Sequence, residues 1–344
     1  MQTGKSKTLE LYPSITSDAL KRIEYALCPF LIKLPKKLES NIHQITKEFI
    51  AYKKKTATTA WHDSVANSLD FHYSSGALKI IEANTNASGF LLSNVLLNDP
   101  EKALAFENDL ITSFKSVFKN DLLKTVSIID NDPKAEKMFP EFLMYKDFFK
   151  RYVVEASILK TSEVKIQNDS LYLYNRDTDF YLEKNPVLRA LWETKKVHLS
   201  TSPASYQNIA DKKFDVYNSD LLENYPYLNS ATLKTFSLNA ENKEELWANR
   251  KKLFFKPSSS FGSKGVYSGK SVSRKKFDTF EDGYLAQELH PPGKVKNLED
   301  EWKYDIRAFF SENGVQKIIA RVYQGQLTNF SKLGGGFALI EWVD

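Results

Sequence analysis

Cysteine is all but missing from this 344-residue chain: Cys28 stands alone, which excludes an internal disulfide and any cysteine-rich zinc site. The five histidines, at 43, 62, 72, 198 and 290, show no paired ligand spacing, so any metal is expected to be held by oxygens. No apolar run approaches the ~20 residues of a membrane span. The N-terminal stretch MQTGKSKTLELYPS also lacks the apolar core of a secretory signal, so a cytoplasmic protein without a membrane partner is expected. A large excess of one sign of charge is missing as well. The net charge is +5, with only short basic clusters at Lys53-Lys54-Lys55 and Arg274-Lys275-Lys276, and no nucleic-acid partner is expected. A surplus of this size suits nucleotide phosphates or acidic substrates equally well.

What is present is ordinary for a globular protein, with 42% hydrophobic and 26% charged residues and enough length for two or three structural units. Ser40 precedes Ile42, Ile45, Phe49 and Tyr52 at helical spacing, and a second helical pattern runs from Asp99 to about Asn120. VSIID (126–130) reads as a buried strand, followed by a helix carrying Met138, Phe142, Tyr145 and Phe149 and by strands at 152–159 and 171–174. This alternation predicts an α/β unit. After Ser202-Pro203 a helix near 206–220, a strand at 252–256 and another at 284–289 are expected, then a mobile segment at 291–301 and a final hairpin.

Residues 68–90 read SLDFHYSSGALKIIEANTNASGF. Two alternating runs around Ser74-Ser75-Gly76 predict a β-hairpin, and a three-residue loop with Gly76 left-handed sets Asp70 opposite Ile80. Asp70, Glu82 and Asn84 then share one face, with Leu69, Phe71, Tyr73, Ile81 and Ala83 on the other. Three oxygen-bearing side chains so placed suit a hard cation such as magnesium. A solvated strand face would show the same pattern.

The stretch LFFKPSSSFGSKGVYSG (253–269) ends an apolar strand with Lys256 and continues into Ser260, Gly262, Ser263, Lys264 and Gly265. Small residues there let backbone N–H groups approach phosphate while the lysines supply charge. No Ser or Thr opens a helix behind it, so it is not a Walker loop, and a purely structural loop stays open. YLAQELHPPG ends a strand at Gln287, Glu288 and Leu289, as either a base-binding hinge or an edge strand stopped by Pro291-Pro292. The last hairpin, YDIRAFFSENGVQKIIARVYQGQLTNF, turns at Asn313-Gly314. A three-residue loop sets Asp305 opposite Arg321 and Arg307 opposite Ile319, with Ile306, Ala308, Phe310, Ile318, Ala320 and Val322 on the apolar face. Two arginines on the other face suit carboxylate or phosphate recognition, or else form a plain Asp305–Arg321 cross-strand pair. Asn329 and the Gly334-Gly335-Gly336 run follow as a flexible stretch.

Together these segments resemble the ATP-grasp superfamily, whose members activate a carboxylate with ATP and join it to an amine. KPSSSFGSKGV is similar to the family's second-lysine strand and phosphate-covering loop, and AQEL to its adenine hinge. DIRAFF with ARVYQGQLTNFSKLGGG is similar to the substrate and phosphate strands of glutathione synthetases and ribosomal-protein glutamate ligases, and Asp211-Lys212 matches the place of the first ATP lysine. The segment with Asp and Glu-x-Asn usually follows the arginine strands, whereas here it comes first, at 69–89, with Ala87-Ser88-Gly89 in place of the usual Pro-Gly. That order resembles a circularly permuted member, and IIDNDP and YNRDTDFYL resemble its pre-ATP-grasp domain.

The resemblance implies an α/β fold in four parts: N-terminal helices and the permuted metal segment (1–97), a pre-ATP-grasp-like α/β domain (98–205), a nucleotide-binding lobe (206–290), and a C-terminal lobe (291–344) completed by the first part. It implies ATP and magnesium as cofactors. ATP would be bound by Lys212, Lys256, Ser260, Gly262, Ser263, Lys264, Gly265, Gln287, Glu288 and Leu289, and magnesium by Asp70, Glu82 and Asn84. Arg307 and Arg321 would be catalytic, and Asn329 and Gly335 would touch a small-molecule or peptide carboxylate or amine. The alternative is a nucleotide-binding or regulatory protein that keeps the fold without ligation.

Overall fold

Each stretch with a clear apolar period forms the expected element, and long-range pairing then decides where it goes. The computed structural model describes residues 6–153, 155–165, 170–212, 219–258, 265–280, 283–297, 299–325, 330 and 332–344. The chain opens with α1 (Ser17–Ala26), β1 (Ile32–Pro35), α2 (Lys37–Thr56), β2 (Asn67–Ser74) and β3 (Ala77–Asn84). There follow α3 (Pro100–Phe118), β4 (Thr125–Asp130), α4 (Phe139–Tyr152), β5 (Glu155–Lys160), β6 (Leu171–Asn175), α5 (Pro186–Glu193) and β7 (Val197–Ser200). Next come α6 (Pro203–Ile209), α7 (Ser219–Leu222), α8 (Pro226–Ala231), β8 (Thr235–Ser237), α9 (Lys243–Asn249), β9 (Leu253–Pro257), β10 (Tyr267–Ser268), α10 (Arg274–Asp278) and β11 (Tyr284–Glu288). The chain closes with β12 (Gly293–Asn297), β13 (Asp300–Ser311), β14 (Gly314–Tyr323), β15 (Gly336–Ala338) and β16 (Ile340–Val343).

The largest sheet is antiparallel in the order β15-β14-β13-β2-β3, with β12 also on β13, so strands from the two ends of the chain share one surface. Its apolar face, including Leu69, Phe71, Ile306, Ala308 and Phe310, buries against Ile42, Ile45 and Phe49 of α2. A parallel sheet, β5-β4-β6-β7, forms the α/β unit. Its neighbouring helices interlock through Phe114 of α3, whose ring meets Phe149 of α4 at 4.8 Å and Tyr174 of β6 at 5.0 Å. The third sheet, β10-β9-β11-β8, is antiparallel and packs around Phe255, Phe277 and Phe280. β16 pairs in parallel with β1, and the Lys36 N–H donates to the Val343 carbonyl at 2.7 Å, which places Asp344 beside the start of α2. Among the described residues no helix is long and apolar enough to cross a membrane.

Four local expectations change. α2 starts at Lys37, so Ser40 lies inside it and does not cap it. The helix expected near 206–220 starts earlier, where Ser202 caps it by accepting from the Ser205 N–H at 3.1 Å, and α6 ends at Ile209; 213–218 lie outside the described residues. The expected mobile segment contains β12, which pairs Val295 with Trp302 on β13. The glycine run is packed instead of flexible: a Cβ at Gly336 would sit 2.3 Å from the Ala26 carbonyl oxygen, and one at Gly335 would sit 2.8 Å from that of Val322.

Candidate functional site

The first hairpin has a two-residue turn, with Ser75 and Gly76 both left-handed, and not the three-residue loop expected. Ser74 faces Ala77, Phe71 faces Ile80, and the register then shifts so that Asp70 faces Glu82 and not Ile80. Ile81 is the extra residue of a β-bulge. It changes the parity of the strand: Leu78 and Ile80 face the core before it and Ala83 after it, whereas Ile81 does not join them. Asp70, Glu82 and Asn84 therefore do share a face, by a different route.

The second hairpin repeats the construction. Ser311 faces Gly314 across a two-residue turn, Gln316 bulges, and Asp305 meets Arg321 while Arg307 meets Ile319. β13 also pairs with β2, which sets Arg307 opposite Asp70. Arg307 Nε and Nη2 donate to Asp70 Oδ1 and Oδ2 at 2.8 and 2.7 Å, a bidentate fork. Arg321 Nη2 reaches Asp70 Oδ2 at 2.9 Å and its Nε reaches Asp305 Oδ1 at 2.6 Å. The Asn84 amide adds a donor to Asp70 Oδ2 at 3.0 Å, and Ser68 Oγ one to Oδ1 at 3.2 Å. Burial would push the Asp70 carboxyl up, but Arg307 and then Arg321 hold it below its ordinary value.

Lys212, just beyond α6, and Lys256, on β9, are both buried. Lys212 Nζ lies 3.0 Å from Glu82 Oε1. Burial would raise the Glu82 carboxyl, yet Lys212, with Lys256 assisting, keeps it below its usual range. Lys212, Lys256, Arg307 and Arg321 thus gather around Asp70, Glu82 and Asp305, and the positive excess favours an anion.

The remaining expected residues are placed as follows. β11 runs between β8 and β9, so it is an inner strand and not an edge. Gln287 donates to Thr235 Oγ1 at 3.3 Å, the Glu288 N–H bonds the Lys234 carbonyl at 2.9 Å, and the Leu289 N–H bonds the Lys252 carbonyl at 2.8 Å. Gly265 is left-handed. Ser260, Gly262, Ser263, Lys264 and Asn329 lie outside the described residues. Gly335 packs beside Trp302 and Val322.

Magnesium can be tested against the donor set. Among the described residues no three His, Cys, Asp or Glu side chains converge in a metal-holding group. Asp70 is fully buried and its two oxygens already accept five donors, so it does not fit as a ligand. Glu82 and Asn84 are partly exposed, and the Asn84 carbonyl oxygen points away from the amide group used on Asp70, so these two fit an oxygen-seeking cation. Of the expected trio, Asp70 is taken by the arginines and Glu82 is paired with Lys212.

Sequence reasoning missed the support behind this wall. Arg307 Nη1 donates to the Ser88 carbonyl at 2.9 Å, while Arg176, at the end of β6, holds Asn86 Oδ1 and Ser88 Oγ, each at 2.6 Å. Glu141 of α4 accepts from the Gly89 N–H at 2.8 Å. The only sequence signal was the charged YNRDTDF segment, whose partner lies about ninety positions away.

The chain has a mixed α/β fold of the glutathione-synthetase-like kind. Two solved structures carry that likeness: the glutathione synthetase-like effector GSS30 from Globodera pallida, in apo form, and a candidate gamma-glutamylcysteine synthetase from Methylobacillus flagellatus KT. Both have a TM-score of 0.58, at 12% and 10% identity, over 96% of this chain and 99% and 88% of theirs. No protein-family model matches the chain, and no curated protein matches it.

Proposed function

We propose that this protein is an ATP-dependent carboxylate–amine ligase built as a circularly permuted ATP-grasp fold. The observation that carries this reading is the meeting of Lys212 and Lys256 with Glu82 across a cleft whose far wall holds Arg307 and Arg321. The joining of residues 67–84 and 293–338 in one sheet supports the permuted order and the grouping of 1–97 with 291–344, beside a central unit at 98–205 and a nucleotide lobe at 206–290.

Lys212 and Lys256 neutralise the triphosphate, whose transfer needs positioning and charge compensation more than covalent help. A substrate carboxylate oxygen bonds to the γ-phosphorus as its bond to the bridging oxygen breaks, and ADP leaves. The amine nitrogen then bonds to the acyl carbon as the carbon–oxygen bond to phosphate breaks, releasing phosphate and a proton. Arg321, which Asp70 and Asp305 hold in place, faces the transferred phosphate or the acyl substrate together with Arg307. Glu82 and Asn84 would hold magnesium arriving with the nucleotide, which supplies further charge neutralisation.

A second reading is a nucleotide-binding protein that does not ligate, favoured by the internal satisfaction of Asp70 and Glu82 and consistent with one structural neighbour being an effector. ADP release measured over a panel of amino acids, short peptides and polyamines separates the two. Ligation requires release that depends on both a carboxylate and an amine, whereas ATP binding with no such release would leave only the second reading.

A further inference from the structure

Arg307 donates to Asp70 through Nε and Nη2 and to the Ser88 carbonyl through Nη1 at 2.9 Å, which leaves part of its fork of donors for a ligand. Ser88 lies in a segment, 86–91, that residues of the α/β unit clamp. Arg176, directly after β6, donates from Nη1 to the Asn86 carbonyl at 2.9 Å and to Asn86 Oδ1 at 2.6 Å, and from Nη2 to Ser88 Oγ at 2.6 Å. The Asn86 amide donates in turn to the Asn175 carbonyl. Glu141 Oε1 accepts the N–H groups of Gly89 and Leu91 at 2.8 and 3.3 Å. Gly89 is left-handed, and a Cβ there would run into the Phe337 ring, so this backbone packs closely on β15. Arg176 is itself fixed: its backbone N–H donates to the Ile129 carbonyl at 2.8 Å, its Nη1 reaches the Tyr174 hydroxyl at 2.9 Å, and its guanidinium lies 5.4 Å from the centre of the Phe142 ring.

We infer that Arg176 is a positioning residue for Arg307: by holding Asn86 and Ser88 it fixes the Ser88 carbonyl, and that carbonyl fixes the plane in which Arg307 presents its remaining N–H groups to the transferred phosphate. The inference rests on the proposed role of Arg307 as a phosphate contact. A fork on a single carboxylate can still pivot about that carboxylate, and a third bond to a separate acceptor removes the pivot. Orientation of this kind matters because a misplacement of about 1 Å is enough to lose a reacting geometry. The α/β unit in this way aims a side chain that belongs to another sheet.

Calorimetric titration of ATP and of ADP into the full chain tests this as a double-mutant cycle of wild type, Arg176→Lys, Arg307→Lys and the double variant. Arg176→Lys keeps the charge beside Glu141 but cannot reach Asn86 and Ser88 together, and should weaken ATP about tenfold, the order of one charge-assisted hydrogen bond. ADP, which lacks the transferred phosphate, should change by less than about twofold, and so should ATP when Arg176→Lys is added to Arg307→Lys, because the link is then already lost. A merely structural arginine would weaken both nucleotides and would do so in either background. Should Arg176→Lys not fold, Ser88→Ala carries the same cycle with an expected loss of about threefold, since it removes the Oγ contact and leaves the carbonyl. Unchanged ATP affinity, equal losses toward ATP and ADP, or additive losses in the double variant would overturn the inference while leaving the ligase reading intact. A wild-type chain that binds no ATP would remove both.

Discussion

The hairpins β2–β3 and β13–β14 share one construction and opposite chemistry. Both turn in two residues, both carry a single bulge on the second strand, at Ile81 and at Gln316, and both bury one apolar face on the same core. One offers Asp70 and Glu82, the other Arg307 and Arg321. Neither side chain set is stable alone in such burial, since isolated charges out of water are expensive. Asp70 supplies a counter-charge to both arginines of the other hairpin, so the pairing of β2 with β13 is an electrostatic match as well as a backbone ladder.

The sharpest way to break that match is to remove its hub. Asp70→Ala leaves two buried guanidiniums short of a carboxylate and should cost about 3–5 kcal/mol of unfolding free energy, the range for breaking one partner of a buried pair. Urea denaturation reads this, and a loss under about 1 kcal/mol would mean the arginines find other acceptors. Arg321→Lys should cost less, about 1–3 kcal/mol, because one ammonium replaces the fork that reaches Asp70 and Asp305 together. Retained stability in that variant would show that the fork geometry is not needed.

The two hairpins also separate by pH. Asp70 and Glu82 are held below their ordinary values, so the stability they confer is present above about pH 4 and is lost as pH falls through their folded values. Lys317, on the other hairpin, donates to the Phe90 carbonyl at 2.9 Å, and burial lowers its ammonium to about 7. The unfolded chain then binds the extra proton between about pH 7 and 10, so stability should rise with pH over that window. Lys317→Met should abolish the rise in melting curves; an equal rise in the variant would assign it elsewhere. Smallest of all is the turn: Gly314 is left-handed with nothing near a built Cβ, so Gly314→Ala should cost only about 1 kcal/mol of backbone strain.

Much of this wall was legible because alternation in a strand is a local property. The Asn313-Gly314 turn located the second hairpin, and the facing of Asp305 and Arg321 followed even though the loop was one residue shorter than expected, since the bulge at Gln316 returned the missing residue. The bulge at Ile81 had a faint trace in the Ile80-Ile81 doublet, where the apolar parity changes. β12 was not legible: Gly293–Asn297 has one apolar side chain, and it is a strand because β13 offers an unpaired edge. The engagement of Asp70 was not legible either, for the pattern that suggests a metal ligand also describes the partner of an arginine, and 237 positions separate Asp70 from Arg307.

The central proposal is that Lys212, Lys256 and the charged hairpins bind a triphosphate. Calorimetric titration of ATP and of adenosine into the wild-type protein and Lys256→Ala tests it most directly. The account predicts that wild type binds ATP and that the variant binds it at least about tenfold more weakly, a loss of the order of a charged phosphate contact, with adenosine unaffected. Wild-type protein that does not bind ATP, or a variant weakened equally toward both ligands, would contradict it.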